Sequence, residues 1–264
     1  MGSILAGWGI GMLVLSMATP GSADWNVYVA PGVGISGATV DTNGQASTAP
    51  VTRLTGMDND SSPLIDVAVG LEVPMDELVP REWLLDVRLP DWPVRFEAEA
   101  AFLRQYDFRT VAGGEVFFTD YEATATLMFN SWLDIPMVAV YRPVQYTFGL
   151  GRQPRVRRWL EPASIYVGAG VGFAALKIDG TSNVLFGDDD PIDFAWNVGI
   201  GINYALTRNV SLSAGYRYVG LGKRKIDLTG GVSGPNDEVE FDPQAHELRV
   251  GIRIRVFDFL SPWR

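Results

Sequence analysis

The chain has 264 residues, no cysteine, one histidine and a formal net charge of −10. Those figures exclude disulfide staples, thiol catalysis, Cys- or His-rich metal centres and the basic footprint that nucleic-acid binding needs. A mean hydropathy of +0.09 with 47% hydrophobic residues excludes a bundle of membrane helices. It does not exclude membrane strands, which need only about ten residues each and leave a weak hydropathy signal.

Residues 1–23 read as a secretory signal, with an apolar core from Ile4 to Met17 followed by the small residues of Thr19-Pro-Gly-Ser-Ala23. No Lys or Arg precedes that core, so an uncleaved membrane anchor is the alternative reading. The period then changes to two, and successive side chains on a strand point to opposite faces. Trp25 to Ile35 sets Val27, Val29, Val33 and Ile35 against Tyr28, Ala30, Gly32 and Gly34. Leu64 to Val73 sets Ile65, Val67, Val69, Leu71 and Val73 against Asp66, Ala68, Gly70 and Glu72. The third segment, about Val94 to Tyr106, opposes Phe96, Ala98, Ala100 and Phe102 to Arg95, Glu97 and Glu99. The fourth, about Val116 to Asn130, opposes Ala123, Ala125, Leu127 and Phe129 to Glu122, Thr124, Thr126 and Asn130.

Ser164 to Leu176 carries Ile165, Val167, Ala169, Val171 and Phe173 against Tyr166, Gly168, Gly170 and Gly172. Phe194 to Tyr204 and Val210 to Tyr218 follow, separated by Ala205 to Asn209, short enough for an antiparallel hairpin. In the last segment Leu248, Val250, Ile252 and Ile254 alternate with Glu247, Arg249, Gly251, Arg253 and Arg255.

The two faces differ in kind. One is almost wholly aliphatic and aromatic. The other holds glycine, small polar residues and opposed charges: Asp66, Glu72, Glu97, Glu99, Glu122 and Glu247 against Arg95, Arg217, Arg249, Arg253 and Arg255. Water imposes no such near-balance on a surface, but a narrow interior does, because buried charges must be paired. The pattern therefore predicts an all-β, eight-stranded, antiparallel up-and-down transmembrane barrel, apolar outside and ionic inside, with the glycines leaving room for the long charged chains. Trp25, Trp92, Trp132, Tyr204 and Phe257 are placed at the periplasmic interface, and Trp196 and Tyr218 at the outer one.

Three stretches carry a family likeness: Ile165-Tyr-Val-Gly-Ala-Gly-Val-Gly-Phe-Ala174, Trp196 through Val219, and His246 through Val256. They resemble the eight-stranded outer-membrane barrel family that includes opacity-type surface antigens and the transmembrane domain of outer membrane protein A. The resemblance implies location in the outer membrane, contact with its lipid and lipopolysaccharide, and a terminal aromatic, here Phe257, read by the barrel-assembly machinery. Residues 258–264 extend beyond it as a tail. Connections at the periplasmic end are expected to be long at Pro74 to Pro93 and Ser131 to Pro162. Polar outer loops are expected at Ala38 to Pro63, Lys177 to Pro191 and Leu221 to Pro243.

No cofactor, metal or catalytic residue is assigned. His246 and Glu247 are neighbours on a strand and so face apart, and Leu248 stands where a serine sharing the His246 face would be needed. The Gly-x-Gly runs lack the following helix of a nucleotide site. Asp188-Asp-Asp190 with Asp193 reads as a solvated acidic loop better than as a cation site. The interior charges read first as a plug and second as a porin-like path for ions or small solutes. The basic run Arg152 to Arg158 suits either anionic lipid or solvent, and residues 138–159 offer a surface to a periplasmic partner. The expected role is non-enzymatic, structural or surface-interacting.

Overall fold

The computed structural model describes residues 25–46, 52–78, 90–112, 115–147, 154–181, 185–189, 192–222, 224–227, 229–230 and 238–256. The signal at 1–23, Phe257 and the tail lie outside them. So do the side chains of Glu122 and of Asp188 to Asp190.

The strands are β1 (Asn26–Ala46), β2 (Thr52–Pro74), β3 (Pro93–Ala112), β4 (Glu115–Pro136), β5 (Ala163–Thr181), β6 (Leu185–Asp189), β7 (Ile192–Ala205), β8 (Val210–Gly220), β9 (Arg224–Asp227), β10 (Thr229–Gly230) and β11 (Glu238–Arg255). Eight of them form the wall in the order β1-β2-β3-β4-β5-β7-β8-β11. Every pairing is antiparallel, and β11 returns to β1. The short β6, β9 and β10 lengthen the outer hairpins by pairing with β5, β11 and β6. The eight-stranded barrel expected from the alternation is thus the observed architecture. Closure leaves no strand edge to be stranded in hydrocarbon.

Exposure fixes which face is which. On β11, Leu248 is 66% exposed and Val250 56%, whereas Glu247 between them and the hairpin is 0% and Arg253 6%. The aliphatic face points outward on every wall strand and the charged face inward, the inverse of a soluble barrel.

Five glycines of the inner face lie against aromatic rings. A Cβ at Gly70 would meet the Tyr28 ring, one at Gly168 or Gly199 the Trp132 indole, and one at Gly201 or Gly215 the Tyr166 ring or its oxygen. Trp132 and Tyr166 also meet edge to face, with centroids 5.5 Å apart. Room expected for arginine and glutamate is therefore shared with three large rings.

Two elements run further than the sequence pattern indicated. β4 continues through Ser131 to Pro136, so Trp132 and Asp134 take inward positions and the connection to β5 begins only at Met137. At the other end the segments expected as outer loops are largely strand. β1 reaches Ala46 against β2 from Thr52, and β11 starts at Glu238. Polar residues do not stop an antiparallel ladder in water, because the backbone pairing is indifferent to which face is wet.

β3 contains a bulge. Leu103 has a φ of 69° and is exposed beside the exposed Phe102, so inward positions change from Arg95, Glu97, Glu99 and Ala101 to Arg104 and Tyr106. β4 shows a matching irregularity between Ala123 and Ala125. Side chains of β2 answer the disturbed backbone: Ser62 Oγ donates to Leu103 O at 3.0 Å and accepts from Gln105 N at 3.0 Å. Asp60 Oδ2 accepts from Asp107 N at 2.9 Å.

Gly215→Ala is expected to lower the unfolding free energy by about 1–3 kcal/mol. Tyr166→Phe should return part of that loss, because the tyrosine oxygen is the nearest atom the new methyl would meet. Urea titration of protein folded in vesicles, followed by gel migration without boiling, checks both. An unchanged midpoint for Gly215→Ala would remove the ring-on-glycine contact from the list of what holds the wall.

Candidate functional site: the ionic lumen

The inward charges form two tiers, each neutral among the described residues. The outer tier joins Asp66, Glu99 and Glu247 to Arg104, Arg217 and Arg249. Arg217 lies 2.8 Å from Glu99 Oε1 and 2.8 Å from Glu247 Oε2. The first of these contacts crosses the lumen from β8 to the opposite strand β3. Arg104 Nε reaches Glu247 Oε1 at 2.8 Å, and its Nη1 donates to Thr126 Oγ1 at 2.7 Å. Arg249 bridges Glu99, at 3.0 Å, and Asp66. Asn130 Nδ2 completes Glu99 at 3.2 Å.

The inner tier, toward the chain termini, joins Glu72, Glu97 and Asp134 to Arg95, Arg253 and Arg255. Arg95 Nη1 is 2.5 Å from Glu97 Oε1, and its Nε is 3.0 Å from Asp134 Oδ2. Asp134 also meets Arg253 at 3.1 Å and accepts from Asn203 Nδ2 at 2.9 Å. Arg255 Nη2 reaches Glu72 at 2.7 Å. Glu97 accepts from Tyr28 OH at 2.5 Å and Trp132 Nε1 at 2.8 Å, so its carboxylate is held by a guanidinium, a phenol and an indole together. The Arg95 guanidinium lies 5.2 Å from the Tyr166 ring centroid and that of Arg253 5.5 Å from the Tyr28 centroid, within cation–π range.

Most of these groups are nearly inaccessible: Arg104 and Glu247 are 0% exposed. Such burial is tolerable because each charge has an ion-pair partner, although single atoms of Asp66, Glu72, Arg95, Arg104 and Arg253 are buried without a hydrogen bond. Between the tiers lies a chamber of about 80 Å³ bordered by Asp66, Arg95, Glu99, Tyr166, Arg249 and Arg253. A second space of about 190 Å³, bordered by Glu72, Asp134, Ser211, Arg253 and Arg255, opens at the end nearest the chain termini. Val40, Leu64, Val219 and Leu221 are also buried, each 1% exposed or less, at inward positions beside and beyond the outer tier. Tyr106 donates to Ser36 Oγ at 2.6 Å.

The structure brings Asp66, Glu72, Arg95, Glu97, Glu99, Arg217, Glu247, Arg249, Arg253 and Arg255 into these two tiers. Glu122 falls outside the described side chains. Arg104 and Asp134 were missed. The bulge at Leu103 moves Arg104 off the period-two pattern, and Asp134 lies in the stretch read as a connection.

Trp132 is a correction: it is 5% exposed and faces the lumen, not the membrane interface. Among the other aromatics, Trp25 is exposed and donates to Glu77 Oε2 at 2.9 Å, and Trp92 and Tyr204 are half-buried near the same rim. At the outer end Trp196 packs on Tyr218 at 5.4 Å. His246 stands beside them on the outward face. Its Nδ1 shares a 2.5 Å hydrogen bond with Tyr216 OH.

Comparison with known proteins places this geometry. Over 67 residues, 23% of this chain, it is 40% identical to outer membrane protein PagN of Salmonella typhimurium. The match spans 28% of that relative's length. Among solved structures, Neisserial surface protein A aligns at 17% identity and a TM-score of 0.41, covering 87% of this chain and 96% of that one. OprG of Pseudomonas aeruginosa aligns at 13% and 0.42, covering 87% and 95%. Residues 10–253 match the family described as outer membrane protein beta-barrel domain, and the chain, with its lipid-facing aliphatic wall and neutral ionic lumen, belongs to that family of the cell outer membrane.

Proposed function

We propose that this protein is a non-enzymatic outer-membrane barrel with a sealed lumen, whose role is structural or surface-interacting and is carried by its outer hairpins. The observation that supports this reading is the filling of the lumen. A neutral ionic tier spans the interior from β8 to β3, and the buried side chains of Val40, Leu64, Val219 and Leu221 occupy inward positions beside and beyond it. An eight-stranded wall leaves an interior just wide enough for side chains to fill, and here they fill it. The strands meanwhile continue well beyond the roughly ten residues that cross a bilayer, holding the hairpins between β1 and β2 and between β3 and β4 in water.

A second reading has one observation in its favour. The space at the end nearest the chain termini and the chamber between the tiers are both bordered by Asn203 and Arg253, so only buried side chains separate them. A narrow solute path would need these side chains and the outer tier to part.

Planar-bilayer recording separates the two. The sealed barrel is expected to give no steady conductance. Reproducible conductance that changes in Arg253→Ala or Glu97→Ala would transfer the function to a channel.

Glu247→Ala leaves two buried guanidiniums, Arg104 and Arg217, short of a partner, and should cost about 3–5 kcal/mol of stability. Arg157→Ala breaks a pair whose side chains are 59% and 54% exposed, and should cost under about 1 kcal/mol. Chemical unfolding of the vesicle-folded variants measures both. Equal costs would mean that the outer tier is not the lock described above.

A further inference from the structure

The connection between β4 and β5 is unlike the turn between β7 and β8 on the same rim. That turn is Leu206 to Asn209, closed by Leu206 N donating to Val210 O at 2.9 Å. The β4–β5 connection instead forms two helices, Met137–Thr147 directly after β4 and Pro154–Leu160 just before β5. In the first, Val140 and Val144 stand one turn apart and are 40% and 41% exposed. In the second, Val156 and Leu160 turn inward while Arg155, Arg158 and Trp159 turn out, and Trp159 is 72% exposed.

Arg157 is engaged with Glu161 at 3.1 Å. Among the described residues, neither Arg155 nor Arg158 has a carboxylate partner. In a chain of net charge −10, this is a local cationic patch with an aromatic beside it. Exposed tryptophan flanked by arginine suits the boundary between headgroups and hydrocarbon.

A groove lies above that patch on the outer wall. Across β2 to β5 the outward positions Ala98 and Ala169 are small, and Leu71, Phe96, Phe129 and Val171 rise around them to border a space of about 630 Å³. From its lower edge at the Ser131–Ala169 pair, two more outward pairs, Leu133–Val167 and Ile135–Ile165, lead down to the strand ends from which both helices leave. At about 3.3 Å per residue the groove edge is roughly 13 Å along β4 from the rim. That distance fits inside one leaflet of about 15 Å.

We propose that this face seats an anionic phospholipid of the periplasmic leaflet. Its phosphate lies against Arg155 and Arg158, Trp159 marks the headgroup boundary, and an acyl chain lies over Ala98 and Ala169 between Phe96 and Phe129. A lipid is favoured over a protein partner because the groove opens into hydrocarbon, where acyl chains are the solvent, and because the helix that carries the cationic patch leads directly into β5, which lines one side of the groove.

The chain has no cysteine, so Ser131→Cys accepts one fluorophore at the groove edge. The labelled full-length barrel is folded into phosphatidylcholine vesicles containing a minor fraction of either brominated phosphatidylglycerol or brominated phosphatidylcholine. The brominated phosphatidylglycerol is expected to occupy the groove on the order of tenfold more favourably, and Arg155→Gln with Arg158→Gln to abolish the preference. Both substitutions are at exposed positions, and unboiled gel migration verifies that the barrel has formed. Equal quenching by the two lipids would overturn the proposal, and would be the result if the helices serve a periplasmic protein instead. Native mass spectrometry of the unlabelled barrel provides a second reading. Phosphatidylglycerol should be retained over phosphatidylcholine by the native chain and not by the double variant, and an identical lipid profile for both would also overturn it.

Discussion

Hydrocarbon offers no hydrogen-bond partner to an amide, so each backbone group of the wall must be answered by the neighbouring strand and the sheet must meet itself. The return of β11 to β1 meets that requirement, and most of the remaining structure follows from it. A closed antiparallel wall sends alternate residues inward, and eight strands leave an interior just wide enough for side chains to fill. The inward positions are filled in three ways: rings on glycines, guanidiniums on carboxylates, and aliphatic side chains.

The fold was legible because its period is short and its chemistry is doubled. Residues such as Ile252 and Arg253 state both which face they occupy and which solvent each face meets. What escaped was whatever depended on counting residues across an irregularity. One residue with positive φ, Leu103, shifts the phase of β3, and Arg104 thereby enters the lumen from a position the alternation assigns to the wall. Nothing in the side chain of Leu103 announces a bulge. The partner that fixes it, Ser62, lies on another strand.

The end of β4 escaped for a different reason. Trp132 and Asp134 stand among Ser131, Leu133 and Ile135, a mixture that reads equally as a connection or as one more turn of the pleat. Only the facing residues decide it. Asp134 has Arg95, Arg253 and Asn203 around it, and Trp132 has Glu97. These contacts join residues far apart in the chain. Local pattern can say that a charge is inward, but not which distant charge neutralises it.

That distance in sequence bears on how the barrel comes to exist. Among the described side chains of the two tiers, β2, β3 and β4 contribute Asp66, Glu72, Glu97, Glu99 and Asp134 but only Arg95 and Arg104. β8 and β11 contribute Arg217, Arg249, Arg253 and Arg255 but only Glu247. The β2–β4 side of the lumen is thus acidic and the β8–β11 side basic. Neither can settle its charges alone. The two sides carry opposite charge, and β11, the strand that closes the wall on β1, supplies three of the six guanidiniums of the two tiers. The seam between β11 and β1 and the neutrality of the lumen therefore depend on the same strand, and a wall without it would leave the carboxylates of β2 to β4 short of three partners.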